Sequence, residues 1–310
     1  MRFLVIGAGA TGGYFGGRLL EAGCDVTFLV RPQRAEKLKA TGIAIASPMG
    51  DALLPSPPSV LKEGLIAPFD VVILSCKAYD LDDAIASFTP AVGPSTTILP
   101  ILNGMRHLDA LDARFGADRV LGGSCFISTK INDAGQIQHL NDIHRLTFGE
   151  RSGELSPRVK AIAAAMAVAK FESFASDQIL LEMWEKWVFL ASFAGMTCLT
   201  RAAVCDIAAA GGNGLTESIL EECRAIAEKA GYPPRAEVMQ TAIGRLTDPQ
   251  SKITASMLGD VERHGRTEVD HILGDLLLRR GKSANEDRSL LRIAYLAIRA
   301  TTARAGREVS

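Results

Sequence analysis

The sequence predicts an α/β protein: an N-terminal Rossmann-type domain with a parallel sheet, followed by an all-helical C-terminal domain. In the first half, short and almost continuously apolar runs alternate with helical patterns, as is typical of parallel strands covered on both faces. From about Leu180 the strand patterns give way to segments of helical period. A prior of about 150 residues per domain also favours two domains for 310 residues. We place them at residues 1–175 and 176–310.

Four apolar runs in the first half are predicted strands: Arg2–Ile6, Asp25–Val30, Asp70–Leu74 and Thr96–Leu102. A predicted helix, Gly12–Ala22, lies between the first two and ends at Gly23 as its C-cap. Strand, helix and strand in this order form a βαβ unit, whose crossover is right-handed in nearly all cases. Farther along, Gln136–Gln138 and Arg145–Phe148 are predicted to pair as a hairpin around a polar loop.

Five helices are predicted in the second half: Leu180–Leu199, Leu215–Ala230, Arg235–Arg245, Val269–Arg280 and Asn285–Arg304. The longest apolar stretch, Trp187–Thr200, is too short to cross a bilayer, which needs about 20 residues. We interpret it as part of a buried helix. The helical half could also pair two copies of the chain as a homodimer, but the same pattern fits helices buried in their own domain.

Composition and charge exclude several classes of partner. The 34 basic and 35 acidic side chains leave a net charge of −1, which gives no footprint for nucleic acid or for an anionic membrane. The six cysteines contain no CxxC pair, so neither a disulfide framework nor a zinc site is predicted. The five histidines form no i, i+4 pair, and we expect no metal site. Reduced cysteines favour a cytoplasmic protein.

A glycine loop follows the first predicted strand and reads G-A-G-A-T-G from Gly7 to Gly12. In this context Gly7 permits a tight turn, Gly9 lets the backbone approach a pyrophosphate, and Gly12 allows close packing of helix and strand. The exposed N–H groups at the helix start, where Ala10 and Thr11 lie, favour a diphosphate. We therefore predict a dinucleotide site. The alternative is a glycine-rich turn without a ligand.

The residue after the second strand bears on the choice of cofactor. An NAD site has an Asp or Glu about 20 residues after the glycine loop, to bind the ribose 2′-hydroxyl. Here Arg31 occupies that place, with Gln33 and Arg34 close behind. A guanidinium suits a 2′-phosphate, so the predicted cofactor is NADP(H). The alternative is that Arg31 is a solvated loop cation.

Two polar residues follow the later strands. Lys77 comes shortly after Asp70–Leu74, and Asn103 directly after Thr96–Leu102. Ligands of open parallel sheets bind at the carboxyl ends of the strands. We predict that both residues bind cofactor and that the Asn103 amide also binds substrate. Each could instead be a helix cap or a surface polar group.

Together these and later segments resemble the ketopantoate reductase (2-dehydropantoate 2-reductase) family over nearly the whole chain. They are Gly7–Gly17 with Tyr14 and Phe15, Val30-Arg31, Cys76-Lys77-Ala78, Asn103-Gly104-Met105, Trp184-Glu185-Lys186, and Ser256-Met257-Leu258 with Asp260 and Thr267-Glu268. The resemblance implies NADPH-dependent reduction of a 2-keto acid, ketopantoate, in pantothenate biosynthesis. It also implies an NADP-binding domain followed by a helical substrate domain.

The resemblance further implies the catalytic residues. Reduction of a ketone by hydride needs a group that stabilises and protonates the developing alkoxide, and the family's general acid matches Lys186. From the residues alone, Lys186 could equally lie at the solvent end of a buried helix. Glu268 matches the active-site glutamate, and Ser256 matches a substrate-binding serine. Asp260, four residues beyond Ser256, is predicted to belong to the substrate-binding site with it; the alternative is a solvated acid.

The sequence departs from the family pattern at two positions. Members often have asparagines four and eight residues after the lysine to bind the substrate, whereas this chain has Leu190 and Ala194. An apolar wall does not select a hydroxylated substrate as a hydrogen-bonding site does. A reductase of another 2-keto acid with a more apolar tail is therefore a second hypothesis. A third is a non-catalytic NADP(H)-sensing protein.

Overall fold

The computed structural model describes residues 1–281 and 288–309, which form two compact units. The first unit comprises residues 1–102 and 107–179, and the second comprises residues 103–106 and the chain from Leu180 onward. The predicted α/β class, with a parallel sheet first and helices afterwards, is confirmed. The predicted beginning of the last helix at Asn285 lies outside the described residues.

The first unit is built on a five-stranded parallel sheet. Its strands are β1 (Arg2–Ile6), β2 (Asp25–Leu29), β5 (Ser59–Val60), β6 (Val71–Leu74) and β7 (Thr97–Pro100). They lie in the order β5-β2-β1-β6-β7, with Phe3 paired to Val26 on one side and to Val71 on the other. The four predicted strands are present, with ends that differ by no more than two residues. Strands β6 and β7 are buried along their whole length, as continuous apolar runs predict.

The same unit has a second sheet that the sequence analysis missed. It contains β3 (Ile43–Ala46), β4 (Ala52–Leu54), β8 (Gly122–Ile131), β9 (Ile137–Gly149) and β10 (Glu172–Ala175). Strand β9 pairs parallel with β3 and β10 and antiparallel with β8, while β3 pairs antiparallel with β4.

The predicted hairpin between Gln136–Gln138 and Arg145–Phe148 is wrong. Nearly all of both segments belongs to the single strand β9, whose hairpin partner is β8. Residues 140–143, between them, lie opposite the single residue Ser128 of β8 and form a bulge within β9 instead of a loop. Asn141 Oδ1 accepts a hydrogen bond of 3.1 Å from the backbone N–H of Ser128 at that bulge. A polar side chain thus satisfies a donor that the ladder leaves open.

Five helices belong wholly or largely to the first unit: α1 (Ala10–Glu21), α2 (Pro32–Thr41), α3 (Leu81–Phe88), α4 (Arg106–Phe115) and α5 (Pro157–Met166). Helix α1 packs against both sheets through glycines. A Cβ on Gly16 would lie 2.7 Å from the Phe28 ring, and one on Gly13 would lie 2.6 Å from Ile137 Cδ1. This close packing fixes the helix start at the carboxyl end of β1.

Among its described residues, the second unit contains helices joined by turns and irregular segments, and no strand. Its helices are α6 (Ile179–Thr200), α7 (Val204–Ala209), α8 (Asn213–Lys229), α9 (Ala236–Leu246), α10 (Ser256–Glu262), α11 (Asp275–Arg280) and α12 (Leu290–Val309). A π-helical turn, Asp270–Gly274, directly precedes α11. Helix α6 begins one residue before this unit and is the central element of the candidate site. Among the described residues, none of the helices is both long and apolar enough to span a membrane.

Candidate active site

The glycine loop has the geometry of a backbone binding site. Gly7 has φ +90°, a conformation that side chains rarely adopt, and its N–H donates to the Leu29 carbonyl at 2.9 Å. Gly9 is the N-cap of α1 and is exposed. The first turn of α1 contains no acidic residue. Its N–H groups and dipole therefore favour an anion at this helix end.

Gly9 and Gly12 serve different purposes in that loop. A Cβ on Gly12 would lie 2.0 Å from Ser75 Oγ and 2.6 Å from the Gly7 carbonyl oxygen. Ser75 Oγ in turn donates to the Ile6 carbonyl at 2.9 Å, so this contact is part of the packing of β1 and β6. A Cβ on Gly9, by contrast, would meet nothing within 4 Å. Gly12 is required by packing, whereas the open space at Gly9 fits a diphosphate against the backbone.

Arg31 follows β2 as the N-cap of α2, and its side chain is paired with two carboxylates. Its Nη2 lies 2.9 Å from Asp83 Oδ2 and 3.5 Å from Asp80 Oδ2. The hydrogen bond to Asp83, followed by the charge of Asp80, raises the pKa of the Arg31 guanidinium. The side chain is nevertheless 66% exposed, so it remains accessible to a phosphate. Arg31 is thus an exposed cation that is also paired with two carboxylates, and not only a solvated one.

Arg34, in the first turn of α2, is tied to the glycine loop. Its Nε donates to the Ala8 carbonyl at 3.0 Å, and burial lowers the pKa of its guanidinium. This hydrogen bond fixes the loop to α2. The role was not apparent from the sequence, because it depends on a contact between α2 and the loop that follows β1.

Lys77 is exposed and lies three residues beyond the end of β6. It precedes a short 3₁₀ turn, Ala78–Asp80, and its carbonyl accepts the N–H of Asp80 at 2.9 Å. The glycine loop, Arg31 and Lys77 therefore follow three adjacent strands at the carboxyl edge of one sheet. Asn103 follows β7 in the chain, but its segment packs with the second unit.

Helix α6 carries Lys186, which is half-buried. The neighbouring Trp187 is 1% exposed, and its Nε1 donates to the Ile272 carbonyl at 2.8 Å. Ile272 lies in the π turn. Its own N–H donates to the Glu268 carbonyl at 2.9 Å. Glu268 is buried. The segment that carries it is thus joined to α6 through Trp187, the residue next to Lys186.

Farther along α6, Thr197 approaches the segment that carries Ser256. Thr197 Oγ1 accepts a hydrogen bond of 3.4 Å from the N–H of Ala255, the N-cap of α10. Ser256, the first residue of α10, is exposed. Asp260 is paired with Arg263 at 2.9 Å and is not simply a solvated acid. The segments of Glu268 and Ser256 therefore both contact α6, the first at Trp187 beside Lys186 and the second ten residues farther along, at Thr197.

An ion pair lies beside Lys186 and was not predicted from the sequence. Glu185 is 5% exposed, and both its oxygens accept hydrogen bonds from Arg235. Next to this pair, the rings of Trp184 and Tyr232 are stacked with centroids 5.8 Å apart. An acidic residue inside a run of aromatic residues was the available signal, because a carboxylate in such surroundings needs a partner.

The apolar positions beyond Lys186 are accompanied by two phenylalanines. Leu190 is half-buried and Ala194 is 1% exposed. Phe189 and Phe193, on the same helix, stack with ring centroids 5.7 Å apart and are also half-buried. Residues three or four apart share a helix face, so the partly exposed side chains that follow Lys186 on α6 are apolar, whereas Ala194 is packed in the interior. Within the described chain, no group of three or more potential metal-ligating side chains is found.

Comparisons with known proteins extend over both units. A family model described as ketopantoate reductase PanE/ApbA matches residues 3–153, and one described as ketopantoate reductase PanE/ApbA C terminal matches residues 178–302. An uncharacterized oxidoreductase, YkpB, of Bacillus subtilis strain 168 is 38% identical over 278 residues, which cover 89% of this chain and 91% of that protein. A 2-dehydropantoate 2-reductase of Mesorhizobium japonicum is 28% identical, with coverage of 88% and 89%.

Solved structures of similar proteins match the fold of nearly the whole chain. The 2-dehydropantoate 2-reductase from Geobacter metallireducens GS-15 has a TM-score of 0.87 at 27% identity, covering 97% of this chain and 100% of that chain. D-mandelate dehydrogenase, solved with NADH and anilino(oxo)acetate, also has a TM-score of 0.87, over 99% of this chain and 100% of that one; at 16% identity this likeness shows the fold alone. The resemblance stated from the sequence is confirmed, and the chain is an oxidoreductase that belongs to the ketopantoate reductase family.

Proposed function

We propose that this protein reduces a 2-keto acid to the 2-hydroxy acid with NADPH, and that ketopantoate is its first candidate substrate. The product would then be pantoate, for pantothenate and coenzyme A biosynthesis. The observation that carries the proposal is the attachment of the Glu268 segment to α6 beside Lys186, through Trp187. The family models and the relatives named 2-dehydropantoate 2-reductase support it.

The residues of the first unit fit a dinucleotide. The open backbone at Gly9 and the N–H groups of Ala10 and Thr11 would hold the diphosphate, with Gly7 and Gly12 shaping the turn. When bound, NADPH supplies the hydride.

Cationic and amide groups would hold the remaining parts of the cofactor. Arg31, exposed between Asp80 and Asp83, would bind the 2′-phosphate by exchanging carboxylate for phosphate oxygens. Lys77 would meet a further anionic group, and Asn103 would bind the ribose or the substrate carbonyl oxygen.

The residues of the second unit would bind and protonate the keto acid. Lys186 Nζ would hydrogen-bond the carbonyl oxygen, stabilise the developing alkoxide and transfer its proton to that oxygen. Glu268 would hydrogen-bond the substrate or position the lysine. Ser256 would bind the carboxylate or a hydroxyl, while Asp260, paired with Arg263, would support the start of α10.

A second candidate substrate is a 2-keto acid with an apolar tail. Leu190 and Ala194 offer no hydrogen bond to a hydroxyl, and the stacked rings of Phe189 and Phe193 extend the apolar surface. Ketopantoate carries a hydroxyl that such a surface cannot bind by hydrogen bonds. This observation makes a branched or an aromatic keto acid the alternative substrate.

A substrate panel tests both candidates. NADPH oxidation would be followed with ketopantoate, a straight-chain, a branched and an aromatic 2-keto acid, and each assay would be repeated with NADH. Turnover of ketopantoate with the highest kcat/KM supports the first candidate, and a preference for the branched or aromatic acid supports the second. Tight binding of NADPH without turnover of any keto acid would contradict both and identify a cofactor-sensing protein.

A further inference from the structure

The turn that carries Asn103 is built against one buried side chain, His271. Gly104 follows Asn103 with φ +74°, which L side chains rarely adopt. A Cβ on Gly104 would also lie 3.0 Å from His271 Cδ2 and 3.0 Å from the His271 carbonyl oxygen. Only a glycine allows the backbone of this turn to approach the histidine so closely.

The His271 ring is also hydrogen-bonded to the backbone of Asn103. This bond favours the protonated ring, so the ring N–H is the donor and the Asn103 carbonyl is the acceptor. Burial nevertheless lowers the pKa of His271 below its ordinary value, and the charge of Arg106 lowers it further. The carboxylates of Glu268 and Asp275 oppose this shift. At neutral pH the ring is therefore an uncharged donor to the loop.

His271 lies in the π turn that begins after Glu268. The Glu268 carbonyl accepts the N–H of His271 at 3.0 Å, and the carbonyl of the next residue, Ile272, accepts the Trp187 indole. One widened turn thus contacts both the Asn103 loop and the helix that bears Lys186. Turns of this kind occur frequently at functional sites.

We propose that His271 is a positioning residue that acts through Asn103. By donating to the Asn103 carbonyl, it fixes the backbone from which the Asn103 amide reaches substrate or cofactor. It does so from the turn that also places Glu268, so two candidate site residues share one support. The inference rests on the proposed function and assigns His271 no contact with the reacting atoms.

A double-mutant cycle tests this coupling. The variants are Asn103→Ala, His271→Leu and the two combined, with kcat and KM measured for the best keto acid and the NADPH dissociation constant measured by fluorescence titration. Each single change should lower kcat/KM about tenfold, mainly through KM, and the combined change should be no worse than either alone. His271→Gln, whose amide can still donate, should recover most of the loss.

Controls separate this result from loss of the fold. Thermal unfolding shows whether each variant is folded, and if His271→Leu is not, the cycle is carried out with His271→Met, which also lacks a donor. His264→Asn, at an exposed histidine of the same unit, should leave all constants unchanged. Additive effects, or a His271→Leu enzyme equal to the wild type, would overturn the proposal. If the wild-type protein reduces no keto acid, the proposed function fails, and the same cycle in the NADPH dissociation constant still decides the coupling.

Discussion

Glu185 accepts three hydrogen bonds from Arg235. The Arg235 backbone N–H and Nε lie 2.9 Å and 2.8 Å from Oε1, and Nη2 lies 2.5 Å from Oε2. The side-chain hydrogen bonds to Glu185 raise the pKa of the Arg235 guanidinium, with burial opposing and the charge of Glu185 contributing further. Glu185 directly precedes Lys186, so the pair fixes the part of α6 from which the candidate proton donor extends.

Removing Arg235 should therefore destabilise the second unit. Arg235→Met removes the cation from the Glu185 carboxylate, which is 5% exposed in the wild type. We expect a loss of about 2 kcal/mol in the free energy of unfolding. Urea unfolding measures it. Arg245→Met, at an exposed position of the same helix α9, is the matched control and should change the stability by less than about 0.5 kcal/mol. Equal stability of the two variants would contradict the structural importance of the pair.

The two loop glycines should respond differently to alanine. Gly12→Ala places a Cβ against Ser75 and the Gly7 backbone, so it should cost about 1–3 kcal/mol of stability. Gly9→Ala meets no protein atom and should cost less than about 1 kcal/mol, yet weaken NADPH binding at least tenfold. Thermal unfolding and fluorescence titration measure the two effects.

Gly244 provides the control for these substitutions. It lies inside α9 with open space around it, and Gly244→Ala should stabilise the protein by about 0.5–1 kcal/mol. NADPH binding should not change. If Gly9→Ala bound NADPH as the wild type does, the diphosphate would not lie against this backbone.

Arg31→Ala should change the cofactor preference. Loss of the guanidinium removes charge-assisted bonds to a 2′-phosphate, so KM for NADPH should rise at least tenfold while KM for NADH changes little. Asp83→Asn removes a competing carboxylate at 2.9 Å and should lower KM for NADPH. Lys39→Ala, an exposed cation on α2, is the control. An unchanged ratio of the two KM values in Arg31→Ala would contradict the assignment of the 2′-phosphate.

A buried pair of histidines predicts how the stability depends on pH. The Tyr14 hydroxyl lies 2.8 Å from His144 Nδ1, and the His144 and His139 rings stack at 5.6 Å. Burial, followed by the charges of His139 and Arg18, lowers the pKa of His144 below its ordinary 6.5, and the charge of Glu172 opposes this shift. The unfolded chain therefore binds a proton that the folded protein excludes, and stability falls as the pH falls below about 6.5.

Replacing His144 should weaken that dependence. His144→Asn keeps an acceptor for Tyr14 but cannot titrate, so the slope of unfolding free energy against pH should decrease by up to about 1.4 kcal/mol per pH unit below pH 6.5. Denaturant unfolding at a series of pH values measures the slope. His264→Asn, at an exposed histidine, should leave it unchanged. A steeper slope in His144→Asn would reverse the sign of the argument.

The fold was predictable where the chain carries a regular pattern. Strand β1, the glycine loop and the helical second half were predicted because burial on both faces and a period of 3.6 leave clear signals. Strand β9 was divided in two, because the polar pair Asn141 and Asp142 is typical of a loop. Only the contact of Asn141 with Ser128, at the irregularity of the β8–β9 ladder, explains why these residues lie within a strand. Short strands such as β4 and β10 are half-exposed, and their sequences carry little signal.

The candidate site was predictable only in its residue types. A lysine among aromatic residues and a glutamate before an apolar run identified Lys186 and Glu268 with the help of the resemblance. The support from Glu185, His271 and Trp187 depends on contacts between segments far apart in the chain. Spacing along one helix cannot reveal such contacts.

The most direct test of the account is the turnover of Lys186→Ala against its affinity for NADPH. If Lys186 protonates the alkoxide, kcat for the best keto acid should fall at least a hundredfold, while the NADPH dissociation constant stays within about twofold of the wild-type value. Lys252→Ala, an exposed lysine of the same unit, should behave as the wild type in both measurements. A Lys186→Ala protein that turns over as fast as the wild type would contradict the account.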